Sequence, residues 1–393
     1  MSQLIVDKLQ VNTQLSIPQY TEAQRNALSG VVIGTLIYLS NTDEAGLQVW
    51  DGSEWVGLAG GAGLYDFINV TFNNGGKTGA EGPTLSQARQ TMAGQGVGNW
   101  NNNSLYYNVD SNGVQSWTVP KSGTYRFLVA GAKGGEGNAI NNNSGRTSGR
   151  GAVMRGEWQL EEGEVYNIIA GVKPATSGEG GGGGGGSFVW SAISGEPLII
   201  AGGGGGNGDV YYGTIAQSAG DDGNASSTEG TEPNSGGGSL RGTNGQGGSV
   251  NNNDGGPGAG GGFIGAGQSG SSGAGGGAAA TAGGTGGKAD SSTNSLSTNS
   301  GGHGGGGGES FNGNDAEGAG GGGGYSGGGA SGSGDPGGGG GGSYLAAGGS
   351  NYGTSTGSWS TSGGEPHNVY SGSVSNLGQY NSGQGYVTVT FIS

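Results

Sequence analysis

The chain has 393 residues, of which 105 are glycine, and carries a formal net charge of −15 at pH 7. With 13 basic against 28 acidic residues it offers no basic face to phosphates, so we exclude nucleic-acid binding. Because it has no cysteine, a disulfide framework and a cysteine metal site are excluded too. Its first residues lack a secretory signal pattern and no long apolar stretch occurs, so we expect synthesis in the cytoplasm and no membrane insertion.

Residues 1–62 are predicted to form a small β-hairpin module. Residues 4–17 alternate loosely and predict a strand or an extended arm. Thr21 and Gln24 have capping-box spacing, which predicts a short helix that Gly30 ends. Strands are predicted over residues 31–39, 47–50 and 54–58. So small a unit cannot bury its own apolar faces, so we expect it to depend on a partner surface or on copies of itself.

The module resembles one that is common in bacteriophage tail-fibre and other virion-surface proteins. The resemblance lies in residues 20–28, 34–42 and 47–56, which follow the pattern QR-AL, then G-x-x-x-Y-N-T, then L-x-V-W/Y-D-G-x-x-W-V only roughly. It implies attachment to other virion proteins through residues 1–62, and a homo-oligomer in which a trimer is favoured. Tyr38, Trp50 and Trp55 are the candidate attachment residues. The alternative is a hairpin that aromatic residues merely hold together.

Residues 63–177 are predicted to form a β-sandwich of jelly-roll type, which makes the fold all-β. Residues 73–103 are expected to be mostly loop, with one helical turn at 86–92. The last residues, 350–393, are expected to return as a loop and a closing strand. Strands are predicted over residues 65–72, 114–119, 124–130, 152–160, 164–170, 187–192, 197–201 and 385–392.

Residues 178–349 form a glycine-rich segment with two interpretations. Uninterrupted glycine runs occupy residues 180–186, 202–206, 304–308, 320–324 and 337–342. These runs are either flexible linker or polyproline-II-type helices that pair their amides with neighbouring helices. A helix with neighbours on all sides requires glycine at every position, so the runs favour an inserted polyglycine-II bundle. The strands predicted at 187–192 and 197–201 lie directly against Gly186 and Gly202 and would anchor the first two runs.

A second resemblance lies in residues 117–135, 179–189 and 197–206. These stretches resemble the glycine-rich extracellular domain of anaplastic lymphoma kinase-type receptors and related bacterial and viral proteins. The resemblance implies a β-sandwich with an inserted polyglycine-II bundle. Polyglycine bundles also occur in the tip adhesins of T-even-type phage long fibres, a similarity of architecture that does not transfer function.

The sequence contains few residue patterns typical of catalytic sites, so we expect that the protein is not an enzyme and has no cofactor. His303 and His367 are predicted to be solvated loop residues. Oxygen-rich clusters at residues 221–222 and 251–254 would suit calcium, but turn chemistry explains them better and no metal site is assigned. No pair of carboxylates marks a polysaccharide-degrading site.

Aromatic residues between the glycine runs are the candidate ligand contacts. They either stand at loop tips, where they would hold sugars or protein surfaces, or pack against the edge of the bundle. Tyr211 and Tyr212 are the first choice, followed by Tyr352 and Trp359. The wider set is Phe263, Phe311, Tyr325 and Tyr344.

The sequence as a whole predicts a bacteriophage virion-surface protein that is assembled in the host cytoplasm. The favoured function is a tail-fibre or tail-tip adhesin that binds a host cell-surface glycan or outer-membrane protein. The alternative is a capsid or tail decoration protein without receptor binding, and a polysaccharide-degrading enzyme is a third.

Overall fold

The computed structural model describes most of the chain as two compact units, Met1–Asp66 and Phe67–Ser393. The described residues are 17–40, 46–59, 63–137, 147–175, 180–208, 220–233, 240–250, 256–271, 273–289, 300–310, 318–331, 337–360 and 366–393. The division at Asp66 lies close to the end of the predicted module. The predicted sandwich and glycine-rich segment belong to one unit.

The first unit is a four-stranded sheet with one short helix. Helix α1 spans Glu22–Asn26 and begins with the predicted capping box, in which Thr21 and Gln24 bond reciprocally. The helix ends at Ala27, earlier than predicted. The strands are β1 (Gln19–Tyr20), β2 (Leu36–Leu39), β3 (Gly46–Trp50) and β4 (Trp55–Ala59), in the order β1-β2-β3-β4. The arm predicted over residues 4–17 lies almost wholly outside the described residues.

The second unit contains two six-stranded sheets, which confirms the all-β prediction. The first sheet has the order β13-β12-β11-β10-β7-β6 and the second β15-β14-β9-β8-β16-β5. Their strands are β5 (Asn69–Phe72), β6 (Tyr107–Val109), β7 (Gln115–Thr118), β8 (Gly123–Ala130), β9 (Val153–Leu160), β10 (Val165–Ile169), β11 (Ser187–Ser191), β12 (Pro197–Ala201), β13 (Tyr344–Leu345), β14 (Ser350–Thr354), β15 (Ser375–Asn376) and β16 (Tyr386–Phe391).

Aromatic rings from both sheets meet in the interior. The ring of Trp117 in β7 lies 5.7 Å from that of Tyr125 and 6.5 Å from that of Phe127, both in β8 of the other sheet. Phe127 in turn lies 6.5 Å from Tyr166 of β10. The sandwich is therefore packed by side chains in the ordinary way.

The helical turn predicted at residues 86–92 is confirmed as helix α2. This helix spans Leu85–Ala93 and begins with a second capping box, between Thr84 and Gln87. Ala88 and Met92 are its buried residues, one turn apart on one face. Two short 3-10 helices span Trp100–Asn102 and Ala280–Ala282.

The glycine runs adjoin neighbouring strands of one sheet. Run 180–186 leads into β11, run 202–206 follows β12, and run 337–342 precedes β13. These three strands lie side by side in the order β13-β12-β11. The sheet therefore sets the three runs next to one another where they adjoin it; the sequence predicted this anchoring for the first two runs.

Hydrogen bonds between the runs repeat at every third residue. The Gly184 amide donates to the Gly204 carbonyl over 2.8 Å. Three residues earlier, the Gly181 amide donates to Asn207, also over 2.8 Å. The interval recurs between run 180–186 and three other segments, in the donor–acceptor pairs Gly186–Gly304 and Gly183–Gly307, Gly323–Gly184 and Gly320–Gly181, Ala132–Gly185 and Gly135–Gly182. A strand has two neighbours in a sheet, whereas this run bonds to these four segments and, through the Gly185 amide, also to the Val172 carbonyl.

The runs are too close together for side chains. A Cβ atom built on Gly183 would lie 1.9 Å from the carbonyl oxygen of Gly321, and one on Gly206 would lie 1.8 Å from that of Gly181. The run at 304–308 differs at its start, because Gly304 and Gly305 have φ angles of +100° and +83° and form a turn. A side chain at most of these positions would displace a backbone and break its hydrogen bonds.

Candidate functional site

One face of the sheet in the first unit is apolar and exposed. Leu36 pairs with Val49 across β2 and β3, and Val49 pairs with Val56 of β4, so the three side chains share a face. Tyr38 and its partner Leu47 lie on the same face. Leu36, Tyr38 and Val56 are 38%, 40% and 41% exposed. We call these five residues the apolar face; such a surface on a small unit marks a contact with another protein.

The opposite face carries the tryptophan pair. Trp50 and Trp55 are cross-strand partners next to Val49 and Val56, so they point away from the apolar face. Their ring centroids lie 5.5 Å apart. The candidate attachment residues Tyr38, Trp50 and Trp55 are therefore not one cluster, and only Tyr38 belongs to the apolar face.

Residues 4–77 match the family model of the phage tail like trimerisation region. The match supports a phage tail-type protein. It covers the whole apolar face, supports a homo-oligomer that is a trimer, and points to a location on the virion. No curated protein matches the chain in a sequence search. The resemblance of the glycine-rich segment to anaplastic lymphoma kinase-type receptors stays a prediction.

The predicted ligand contacts are not brought together. Tyr211 and Tyr212 lie outside the described residues. Tyr352 is only 6% exposed, stacks on Tyr370 with ring centroids 3.8 Å apart and donates its hydroxyl to the Ala346 carbonyl. Its predicted place at an exposed loop tip is therefore wrong. Trp359 is half-buried, and its Nε1 donates to the Tyr370 carbonyl over 2.7 Å.

Aromatic residues at the ends of glycine runs are buried in one cluster. Phe263 and Tyr325 each follow a run directly, and their rings stack with centroids 6.3 Å apart. Tyr344, which Ser343 separates from run 337–342, lies 4.7 Å from Tyr325. All three pack with Phe188 and Trp190 of β11. Edge packing, the second of the two interpretations, describes Phe263, Tyr325 and Tyr344, while Phe311 lies outside the described residues.

His303 is wholly buried, so the prediction of a solvated loop residue is wrong. Its Nε2 lies 3.0 Å from the carbonyl oxygen of Gly283. Burial lowers the pKa of the ring, since a charged imidazole loses its hydration there. Neutral His303 therefore packs as part of the glycine-rich interior, where a Cβ on Gly82 would lie 2.7 Å from its Cε1.

His367 is also largely buried, with 13% of its side chain exposed. Its Nδ1 lies 2.7 Å from Oε2 of Glu196. The prediction of a solvated residue is therefore wrong here too. The His367 ring meets the rings of Phe263, Tyr325 and Tyr344 edge-on, at 5.8, 6.0 and 6.3 Å between centroids.

The acidic residues at 221–222 make hydrogen bonds to other parts of the fold. Asp222 accepts two hydrogen bonds from the Arg150 guanidinium, and Asp221 accepts one from the Thr231 hydroxyl. The described residues contain no group of three or more side chains that would hold a metal ion. The other cluster, 251–254, lies outside them. None of the helices in the described part of the chain has the length and apolar character needed to span a bilayer.

Proposed function

We propose that the chain is a trimeric tail-fibre or tail-tip adhesin. In this proposal the first unit joins copies of the chain and attaches them to other virion proteins, and the second unit presents host-recognition loops. The observation that carries it is the apolar face, which lies inside the matched trimerisation region. The chain would act by binding, without catalysis or a cofactor.

The apolar face is the proposed contact between copies. Each copy would cover the exposed side chains of another, and burying apolar area is worth roughly 25 cal/mol per Å². A closed three-fold arrangement would leave none of the three faces exposed.

Assembly is tested by placing a charge on the apolar face. Val56→Glu should convert a trimer to monomers, because a buried carboxylate without a partner is costly. The matched control is Leu105→Glu, which changes an exposed apolar residue of the second unit outside the matched trimerisation region. Light scattering after size-exclusion chromatography measures the mass. A trimer that persists in the Val56 variant would contradict the assignment of this face.

The glycine-rich segment is proposed to be a polyglycine-II bundle. The three-residue interval of its hydrogen bonds is the number of residues per turn of such a helix. Bonds to several neighbouring segments suit a helix whose amides point outward on all sides. Because these contacts are made by backbone, the loops between the runs can change in sequence without disturbing the bundle. A rigid platform with variable loops suits host recognition.

Host recognition is proposed to use loop residues, with Tyr211, Tyr212 and Trp359 as contacts to a host glycan or outer-membrane protein. Purified chain in excess should block adsorption of the phage that carries it by occupying the receptor. Replacement of Tyr211 and Tyr212 by glycine and serine, together with Trp359→Ser, should weaken this block at least tenfold. Leu105→Ser, at another exposed apolar residue, is the control.

Adsorption that purified wild-type chain leaves unchanged would reject the adhesin. It would favour the alternative of a decoration protein without receptor binding. Full blocking by the loop variant would reject only these three residues.

A further inference from the structure

A pocket of about 540 Å³ opens against the first sheet of the second unit. Its walls come from β10, the β11–β12 hairpin, β13 and residues 366–368. The volume lies within the range of about 300–1,000 Å³ that is typical of small-ligand sites. Neither the trimerisation region nor the predicted contact residues account for it.

The polar groups of the pocket include two carboxylates that each keep one oxygen available. Glu164 accepts hydrogen bonds from the Tyr166 hydroxyl and the Glu161 amide, and both go to Oε2. Glu196 uses Oε2 for His367. Within the described residues, therefore, the Oε1 atoms of Glu164 and Glu196 are not engaged in these bonds and can accept others.

His367 positions one of these carboxylates. Its Nδ1 lies 2.7 Å from Oε2 of Glu196, and 13% of its side chain is exposed. Its Nε2 is fully buried and is not open to a ligand in the pocket. His367 therefore acts on the pocket by holding Glu196 through Oε2, which leaves Oε1 of that carboxylate for a ligand.

The charge of the lining selects against anions. The lining described for the pocket includes Glu164 and Glu196 but neither lysine nor arginine. A carboxylate or phosphate ligand would therefore meet two like charges and no guanidinium or ammonium partner. The net charge of −15 acts in the same direction at longer range.

The rest of the lining suits a ligand with apolar and polar faces. Leu198 and Pro366 supply apolar surface, and Asn368 supplies an amide that both donates and accepts. A purely apolar ligand would leave the carboxylates desolvated, which is costly. An ammonium group would pair with the carboxylates, but it would make no contact that needs the apolar wall or the amide.

We propose that this pocket binds a neutral saccharide unit. Its hydroxyls would donate to Oε1 of Glu164 and Glu196 and pair with the Asn368 amide, while its C–H face would pack on Leu198 and Pro366. This inference rests on the proposed host-recognition function and gives it a site and a ligand class.

The test uses the full chain and methyl glycosides of glucose, galactose, mannose, N-acetylglucosamine and N-acetylgalactosamine. Saturation-transfer NMR should detect binding of at least one of them, and titration should give its affinity. Glucuronic acid and glucosamine are the anionic and cationic comparisons. Absence of binding by every neutral glycoside, or binding of glucosamine alone, would overturn the proposal.

Two variants locate the binding. Ala347→Trp fills the pocket that Ala347 lines and should weaken binding at least tenfold, as should Glu196→Gln, which disturbs both an acceptor and the position of His367. The matched control is Ser111→Trp, which fills a second pocket of about 530 Å³ and should leave affinity unchanged. Thermal melting checks that each variant is folded, and Asn368→Ala replaces any that is not. Wild-type affinity in the folded pocket variants would place the sugar elsewhere and overturn the proposal.

Adsorption separates this inference from the proposed function. If wild-type chain and Ala347→Trp block phage adsorption equally, the adhesin function stands and the pocket is not the site of host recognition. If the pocket variants lose sugar binding but the wild-type chain does not block adsorption, the pocket stands and the adhesin function fails.

Discussion

The β-sandwich and the glycine runs of the second unit are held together by opposite means. In the sandwich, Trp117 is fully buried and its ring lies 5.5 to 6.5 Å from the rings of Phe67, Phe72, Tyr125 and Phe127. In run 180–186, Gly183 is equally buried but meets the backbone of Gly321 directly. The sandwich removes apolar side chains from water, whereas the runs pair backbone amides with one another.

This difference has a consequence for sequence variation. A core of side chains accepts another apolar residue of similar volume at a cost usually below about 1.5 kcal/mol. A core of backbone accepts no side chain, because even one methyl group requires a neighbouring chain to move. We therefore expect the sandwich core to vary among apolar residues and the buried run positions to stay glycine.

Amide hydrogen exchange is the largest expected effect. If the runs are ordered by their hydrogen bonds, amides in 180–186 and 320–324 should exchange at least about a thousandfold more slowly than an unstructured chain, which corresponds to about 4 kcal/mol. Strand β8 serves as the internal reference for slow exchange. Mass spectrometry of the deuterated protein measures both. If amides in the runs exchange at the rate of an unstructured chain, the runs do not form an ordered bundle. Only the sandwich would then be ordered in the second unit.

The next effect is loss of a ring from the sandwich. Trp117→Ala should lower the free energy of unfolding by about 3–5 kcal/mol, because it leaves a cavity among four aromatic rings. Chemical denaturation followed by circular dichroism measures it. The control, Leu105→Ala at an exposed position, should change stability by less than about 0.5 kcal/mol. If Trp117→Ala changes the free energy of unfolding as little as the control does, the aromatic core does not stabilise the unit.

Adding a single methyl group tests the runs. Gly183→Ala should cost about 2–4 kcal/mol, since the new Cβ would lie 1.9 Å from the Gly321 oxygen and displace a hydrogen-bonded chain. Gly180→Ala, in the same run, is the matched control, because the nearest atom to its Cβ is at 3.4 Å. Equal denaturation midpoints for the two variants would mean that Gly183 is not packed as described.

The smallest effect concerns pH and belongs to the sandwich. Burial of Glu157 raises the pKa of its carboxyl, but hydrogen bonds from Asn351 and Arg126 and the Arg126 charge outweigh it, so the folded pKa lies below 4.5. Glu157 therefore stabilises the fold above its unfolded pKa, and this contribution is lost as pH falls through the lower, folded value.

Replacing Glu157 should reduce this acid sensitivity. As pH falls through the folded pKa of Glu157, Glu157→Gln should lose less stability than the wild type, because the variant has no carboxylate to protonate there. Thermal melting at several pH values measures the slope. The control is Glu162→Gln, which replaces an exposed carboxylate in the turn that follows β9. This variant should keep the wild-type slope. An unchanged slope in Glu157→Gln would assign the acid response to other carboxylates.

Local patterns in the sequence predicted the elements whose signals are local. The capping box at Thr21 and Gln24 marked the start of α1, and the predicted strand at 197–201 coincides with β12. The equivalent box at Thr84 and Gln87 was the missed signal that would have revealed all of α2. Short strands such as β13 and β15 have two residues each, too few for a periodic pattern.

Contacts between distant residues were beyond the sequence. It did not show that Tyr352 would stack on Tyr370, or that His367 would meet Glu196 across a separation of 171 residues. It also could not show that Tyr38 would face away from Trp50 and Trp55, because the register of β2 against β3 decides this.

The sequence by itself determined that this protein is rich in β-strands, begins with a tail-type module and contains long stretches with no side chain to pack. It determined these because composition, strand alternation and capping depend on neighbouring residues. Only the tertiary structure decided which segments each glycine run bonds to, which aromatic rings are buried at the ends of the runs and where a pocket opens. Backbone amides are chemically identical along a glycine run, so their partners follow from the position of the chain in space.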